Sequence, residues 1–193
     1  MESSDRFLLQ LKERWPVPSQ RRCTGQQVGF GEFESALGIT LPSSYKALTH
    51  AYGQGVWFET IFVLNPFFAW QNDLEPWMSV RGYAGGPSWC NSLRTARQSS
   101  SGQMLSPIYP EPGGLFPWAF LQDGGVLYWL TAGPPERWKT LHDRDLWAEA
   151  EWEPFEMSVT ELLWRLATGD AAVAGSELDK RIAPYRYAVF QVC

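Results

Sequence analysis

The strongest constraint on the fold of this chain is a pair of apolar, aromatic-rich stretches separated by the sequence Gln-Asp-Gly-Gly. The stretches are Leu115 to Leu121 and Val126 to Thr131. Because Asp-Gly supplies the positive φ angles of a tight turn, this pattern predicts an antiparallel β-hairpin. A third strand is predicted over Arg137 to Leu141, after a Gly-Pro-Pro turn. An antiparallel sheet is therefore expected near the centre of the fold.

Helical patterns lie on both sides of these strands. Capping residues and 3.6-residue periodicity predict helices from Asp5 to Trp15, from Glu32 to Leu37, from Ser43 as N-cap to Tyr52, and from Ser158 to Gly169. β-Branched and aromatic residues predict strand from Val56 to Leu64. Helices, then strands, then a helix indicate an α+β fold, with a mainly antiparallel or mixed sheet flanked by N-terminal and C-terminal helices. The predicted core residues are Leu37, Leu41, Tyr45, Leu48, Trp118, Tyr128, Leu162 and Leu166.

The length of 193 residues is sufficient for one well-buried core, so residues 1–193 are interpreted as a single domain. Its core is expected over about residues 30–168. Residues 67–112 lose the periodic pattern and are rich in Gly, Pro and Ser, so they are predicted to be an insertion ordered in part by its tryptophans. Residues 170–193 are a C-terminal extension that the pattern does not place.

The net charge of −5 argues against nucleic acid and anionic membranes as partners and favours a basic protein. No apolar run long enough to span a membrane occurs, and the first residues lack the apolar segment of an export signal. The three cysteines, Cys23, Cys90 and Cys193, are widely spaced, which predicts neither a disulfide framework nor a zinc site. These features together predict a cytoplasmic protein.

Residues suited to catalysis are few and isolated. His50 and His142 have no Cys, Asp or Glu at metal-ligand spacing, and nothing in the sequence places a histidine beside Cys23. The glycine pairs follow no strand that opens into a helix, so they indicate turns and not phosphate loops. The expectation is a protein that is not an enzyme and that binds no cofactor and no metal.

Acidic residues alternate along one predicted strand. Glu149, Glu151 and Glu153 are separated by apolar residues, which places the three carboxylates on one face of a strand. The surrounding segment from Asp143 to Glu161 holds seven acids and one arginine. This face is the predicted contact with a basic partner, although a merely solvated face would show the same pattern. Secondary contact candidates at the start of the sheet are Trp57 and Glu59.

Several stretches resemble one protein family. The corner from Glu34 to Lys46, which contains Leu-Gly-Ile-Thr-Leu-Pro, and the turn Tyr52 to Gly55 resemble the N-terminal signature of the SUKH superfamily, which includes the fungal Smi/Knr regulators and many bacterial immunity proteins. Four later stretches are similar to a subgroup common in actinobacteria: Pro110 to Trp118, Asp123 to Thr131, Arg137 to Trp138 and Met157 to Glu161. The resemblance covers Glu32 to about Thr168.

The resemblance implies a mixed sheet flanked by helices. It also implies a bacterial immunity protein that neutralises a co-encoded polymorphic or contact-dependent toxin by direct binding, with no catalytic residues. Because fold signatures are less specific for function than for structure, two alternatives stay open. One is a regulatory or scaffold protein of the Smi/Knr type, and the other is a small-ligand-binding domain that uses a tryptophan-lined concavity.

Overall fold

A seven-stranded antiparallel sheet forms the centre of the protein in a computed structural model. The described residues are 5–25, 29–67, 90, 93–95, 97–98, 106–122, 124–143, 152–188 and 190–192. The strands are β1 (Gly55–Trp57), β2 (Ile61–Val63), β3 (Leu115–Leu121), β4 (Val126–Leu130), β5 (Lys139–Asp143), β6 (Glu153–Phe155) and β7 (Gln191–Val192). Their spatial order is β6-β5-β4-β3-β2-β1-β7. The first six strands are therefore a meander, and β7 adds to the free side of β1.

The predicted central hairpin is confirmed. Strand β3 pairs with β4 from Leu115 opposite Leu130 to Phe120 opposite Val126, with a shift in register after Pro117. Gly124 in the turn has a φ of 98°, a conformation that glycine adopts without strain. The predicted third strand is also present, but it begins at Lys139 because Pro135–Arg137 forms a 3-10 turn before it.

Four helices lie where the sequence predicted them, and another, in the C-terminal extension, was not predicted. They are α1 (Arg6–Arg14), α2 (Phe30–Leu37), α3 (Ser43–Tyr52), α4 (Val159–Thr168) and α5 (Glu177–Ile182). The Asp5 carboxylate accepts hydrogen bonds from the backbone N–H groups of Phe7 and Leu8, as an N-cap should. The predicted N-cap of α3 is corrected by one position, because Pro42 is the cap and Ser43 is the first helical residue. Within the described residues, no helix combines the length and apolarity needed to cross a membrane.

The larger core lies between one face of the sheet and helices α1, α3 and α4. Its largest fully buried side chains include Trp57, Trp118 and Tyr52. The predicted core residues are all buried except Leu37, which is half-buried, although Tyr128 belongs to the smaller core on the other face. This face therefore has the composition that the sequence predicted, with aromatic rings meeting edge to face above the sheet.

A second, smaller core covers the other face of the sheet, and the sequence did not predict it. Its members from the predicted insertion are Cys90, Leu93 and Ile108, of which the first two have helical backbone. The other members are strand residues and one neighbour of β6: Leu115, Val126, Tyr128, Leu141 and Trp152. Parts of the predicted insertion at residues 67–112 thus belong to the hydrophobic core. Trp70, Trp77 and Trp89 lie outside the described residues.

The C-terminal extension is integrated into the same domain. Leu178 and Ile182 of α5 are fully buried in the larger core, and Phe190 packs against Trp57 with ring centroids 4.9 Å apart. Arg186 donates through Nε to the carbonyl of Leu166, near the end of α4. The extension therefore closes one side of the helical layer.

We expect Leu166→Ala to lower the free energy of unfolding by about 2 to 5 kcal/mol, because it removes a fully buried side chain from the larger core. Chemical denaturation of both proteins measures the difference. Leu9→Ala is the matched control, since Leu9 lies on α1 and is 49% exposed. A loss of equal size in both variants would contradict the assignment of this core.

Candidate protein interface

Three connections of the meander lie at one end of the sheet, because alternate connections between antiparallel strands fall on the same side. They are the β1–β2 turn, the β3–β4 turn and the β5–β6 connection. The N–H of Gln122 donates to the carbonyl of Thr60 at 2.9 Å, so the first two turns are in contact. We call this region the acidic end and define it by Glu59, Gln122, Gly124, Asp143 and Glu153.

The sequence of these connections is strongly acidic. Between the strand ends they contain five acids, Glu59, Asp123, Asp145, Glu149 and Glu151, against one arginine, Arg144. Asp123 and residues 144–151 lie outside the described residues. The described residues that flank them lie at the acidic end, since His142 of β5 pairs with Glu153 of β6. Topology therefore brings the strand ends that border these acid-containing connections to one end of the sheet.

The β1–β2 turn presents Glu59 in an unusual backbone conformation. Phe58 and Glu59 have φ angles of 54° and 55°, a left-handed region that non-glycine residues adopt at a cost of about 1 kcal/mol or more each. The Phe58 ring is buried against Trp15, with ring centroids 5.8 Å apart, and this burial holds the turn. As a result, Glu59 is exposed at the tip of the hairpin.

Trp57 does not belong to this surface. The predicted secondary contact at Trp57 is corrected, because only 2% of the residue is exposed. Its ring lies 6.0 Å from that of Trp15 and 4.8 Å from that of Tyr52, in edge-to-face contact. The alternation of β1 directs this side chain into the larger core, so a partner cannot reach it.

The carboxylate of Glu153 is bound within the protein. It accepts hydrogen bonds from the backbone N–H groups of Glu177 at 2.8 Å and Leu178 at 3.3 Å, in the first turn of α5. A carboxylate in this position neutralises the positive end of the helix dipole. The prediction that Glu153 projects toward a partner is therefore corrected. The Ser-x-x-Asp capping pattern at Ser176 is the sequence signal that could have revealed α5.

A cluster of buried polar side chains lies beneath the acidic end. The Nδ1 atom of His142 lies 3.4 Å from Oε2 of Glu153, and the hydroxyl of Tyr128 donates to Asp143 at 3.4 Å. A Cβ atom placed on Gly125 would lie 2.9 Å from a guanidinium nitrogen of Arg181 on α5. The side chain of His142 is completely buried. These groups therefore tie strands β4, β5 and β6 to α5, and the imidazole is not accessible to a substrate.

Other acids of the segment from Asp143 to Glu161 are also paired internally. Glu161 forms an ion pair with Arg165 at 2.7 Å, and Glu156 pairs with Lys139. The count of seven acids therefore overestimates the exposed charge of this segment. Among the predicted contact residues, Glu149 and Glu151 lie outside the described residues, and the prediction for them stays open.

A groove of about 320 Å³ lies at the opposite end of the sheet. It is formed by the α2–α3 corner, residues 109–113, and the connection between β4 and β5. Most of the lining residues belong to the stretches that resemble the SUKH superfamily, whereas Tyr109, Gly133 and Pro135 do not. The hydroxyl of Tyr109 donates to the carbonyl of Leu37, which joins two of the walls. These stretches therefore pack together around the α2–α3 corner.

The polar groups of the groove are largely engaged by its own walls. Arg97 donates two hydrogen bonds to Glu111, at 2.7 and 3.0 Å, and this pairing lowers the pKa of the Glu111 carboxyl to about 2. The Thr131 hydroxyl donates to the carbonyl of Gly114. Among the described lining residues there is no His, Cys or Lys.

The other candidate reactive residues are dispersed. His50 contacts the carbonyl of Thr24 through Nδ1, at 2.6 Å. Burial raises the pKa of the Cys90 thiol to about 11, and partial burial raises that of Cys23. No group of three or more His, Cys, Asp or Glu side chains able to hold a metal ion occurs in the described part of the chain.

No protein-family model, curated protein or solved structure matches this sequence. The similarity to the SUKH superfamily therefore rests on the motifs alone. The fold itself is established as α+β, with an antiparallel sheet in a single compact domain.

We expect Glu153→Ala to destabilise the protein by about 1 to 2 kcal/mol, because two backbone N–H groups of α5 would lose their acceptor. Glu156→Ala is the matched control, since its exposed ion pair with Lys139 should contribute less than about 1 kcal/mol. Urea denaturation of the two variants measures the contrast. Equal stability of both would show that Glu153 does not hold α5 in place.

Proposed function

We propose that this chain is a non-enzymatic protein-binding domain, and specifically an immunity protein that neutralises a co-encoded polymorphic or contact-dependent toxin by direct binding. The observation that carries the proposal is that the exposed Glu59 and the strand ends bordering two further acid-containing connections lie at one end of a well-packed sheet. The family resemblance adds the immunity role. Under this proposal the cognate toxin, or another basic protein, contacts the acidic end.

The geometry of the acidic end suits recognition of a basic surface. Glu59 is held at the tip of a turn whose neighbour Phe58 is buried, so little backbone freedom of the turn remains to be lost on binding. Carboxylates that face one direction add their potentials, which accelerates the association of a basic partner. A toxin that cleaves nucleic acid through a basic cleft has the complementary charge.

The surroundings of the histidines support a binding function over a catalytic one. His142 is buried behind the acidic end and contacts the Glu153 carboxylate, and His50 lies beside a backbone carbonyl and the ring of Phe30. A regulatory or scaffold role of the Smi/Knr type would use the same kind of surface. The two roles differ in the partner: a toxin encoded beside this gene favours immunity, and a host protein favours regulation.

We expect Glu149→Lys/Glu151→Lys to slow association with the cognate toxin by about tenfold at physiological salt, because steering depends on the charge of the acidic end. The difference from wild type should shrink as salt rises and shortens the Debye length below about 8 Å. Surface plasmon resonance at low and high salt measures both rate constants. Glu59→Lys should act in the same direction with a smaller effect.

The matched control is Glu13→Lys/Glu32→Lys, which changes the net charge equally at exposed positions on α1 and α2. This variant should associate at nearly the wild-type rate. If both double variants slowed association alike, total charge and not the acidic end would determine binding. If neither did, the toxin contact would lie elsewhere, with the groove as the next surface to test.

A further inference from the structure

Exposed large hydrophobic side chains are concentrated near the C-terminus. In the described part of the chain four such residues are exposed, and three of them, Tyr185, Tyr187 and Val192, follow α5. Tyr187 is 85% exposed, which is the largest value among them. Clustered exposed rings with polar neighbours are typical of interaction surfaces.

One exposed arginine, Arg14, contacts this tail, and two more exposed arginines follow it in the chain. Arg14, Arg21 and Arg22 are exposed, and within the described residues none of the three forms an ion pair. The Arg14 guanidinium carbon is 5.9 Å from the ring centroid of Tyr187. This separation allows a cation–π contact that keeps the guanidinium near the ring. Arg14 and Tyr187 therefore place a positive charge and an exposed ring side by side on the surface.

The segment that bears Arg22 is fixed next to the end of the tail. The carbonyl of Arg22 accepts a hydrogen bond from the N–H of Gln54, at 3.0 Å. The next residue, Gly55, pairs with Val192 in the ladder between β1 and β7. The backbone of Arg22 is therefore hydrogen-bonded to the residue that precedes β1, and β1 is the strand that pairs with β7.

A single buried ring supports both Arg14 and the tail. The Tyr52 hydroxyl donates to the carbonyl of Trp15 at 2.7 Å, and its ring centroid lies 5.1 Å from that of Phe190. The residue after Arg14 and the residue before β7 are therefore anchored on the same side chain. We call this region the arginine–tyrosine surface and define it by Arg14, Arg21, Arg22, Tyr187 and Val192.

The charge of this region is opposite to that of the whole chain. Residues 5–25 contain five basic residues and two acids, a local charge of +3, whereas the chain carries −5. One of the two acids, Asp5, is committed to capping α1 and to accepting a hydrogen bond from Thr160. The local excess of positive charge is therefore available to an anionic partner.

We propose that the arginine–tyrosine surface is a second binding site, which takes an acidic, extended segment of a partner protein. Guanidinium groups bind carboxylates with two parallel hydrogen bonds, and exposed tyrosine supplies apolar contact beside them. Tyr and Arg are also the residues most often responsible for binding energy at protein interfaces. This site is separate from the acidic end and does not depend on the toxin-binding proposal.

Nucleic acid fits this surface less well than an acidic peptide. Binding to a phosphate backbone needs an extended row of basic groups, and the net charge of −5 repels long polyanions. Three arginines and one ring match a short peptide segment better. A second copy of the chain, or an RNA, is an outcome that the experiment distinguishes.

The test uses the full chain and a fluorescein-labelled copolymer of glutamate and tyrosine as the probe, with binding followed by fluorescence anisotropy. Arg21→Glu/Arg22→Glu should weaken binding by about tenfold, a loss of about 1.4 kcal/mol. Tyr187→Ala should weaken it by about threefold without a change in charge. The matched control is Arg137→Glu/Lys139→Glu, which alters exposed basic residues outside residues 5–25 and outside the tail, and which should bind like wild type.

Three results would overturn the proposal. An equal loss of affinity for the copolymer in both double variants, at unchanged melting temperature, would show that binding follows total charge. A single-stranded RNA that displaces the copolymer and binds more tightly would assign the surface to nucleic acid. Salt-sensitive self-association in analytical ultracentrifugation, abolished by Arg21→Glu/Arg22→Glu, would assign it to a second copy. None of these results bears on binding of the toxin at the acidic end.

Discussion

The pairing of β3 with β4 is the interaction on which the rest of the structure depends. These two central strands contribute side chains to both faces of the sheet, with Trp118 and Trp129 in the larger core and Leu115 and Tyr128 in the smaller one. The helices pack on the first face and residues from the 90–115 region pack on the second. Loss of this pairing would separate the two cores and remove the framework that places every connection of the meander.

The same antiparallel topology separates the surfaces that we propose for binding. Connections that follow β1, β3 and β5 meet at the acidic end, whereas the connection that follows β4 forms part of the groove at the other end. The arginine–tyrosine surface is built on β1 and β7, at the edge of the sheet opposite β6. The two proposed binding surfaces therefore lie at different places on the sheet.

Local signals in the sequence predicted most of the secondary structure. The cap at Asp5, the left-handed glycine at Gly38 and the Asp-Gly turn act over a few residues, so their effects can be recognised without knowledge of the fold. Long-range contacts could not be predicted in this way. The hydroxyl of Tyr109 meets the carbonyl of Leu37, 72 residues earlier in the chain, and no periodicity encodes that contact.

The candidate site was predicted only in part, for the same reason. Alternation predicted a strand over Glu149 to Glu153, of which the observed β6 contains only Glu153, and only the position of α5 shows that the Glu153 carboxylate binds backbone amides. Trp57 appeared available because strand patterns do not reveal which face is covered. Glu59 is a contact candidate in the sequence because it lies at the start of the predicted sheet. The structure shows that the neighbouring Phe58 is buried, which keeps Glu59 at the surface.

Amide hydrogen exchange of the chain with and without its cognate toxin tests the central claim most directly. The account predicts that binding slows exchange in the β1–β2 turn around Glu59 and in the β5–β6 connection, at residues 144–151. Exchange at the α2–α3 corner and in residues 109–113 should remain unchanged. Protection confined to the corner and the groove, with no change around Glu59 or in the β5–β6 connection, would contradict the assignment of the acidic end as the toxin-binding surface.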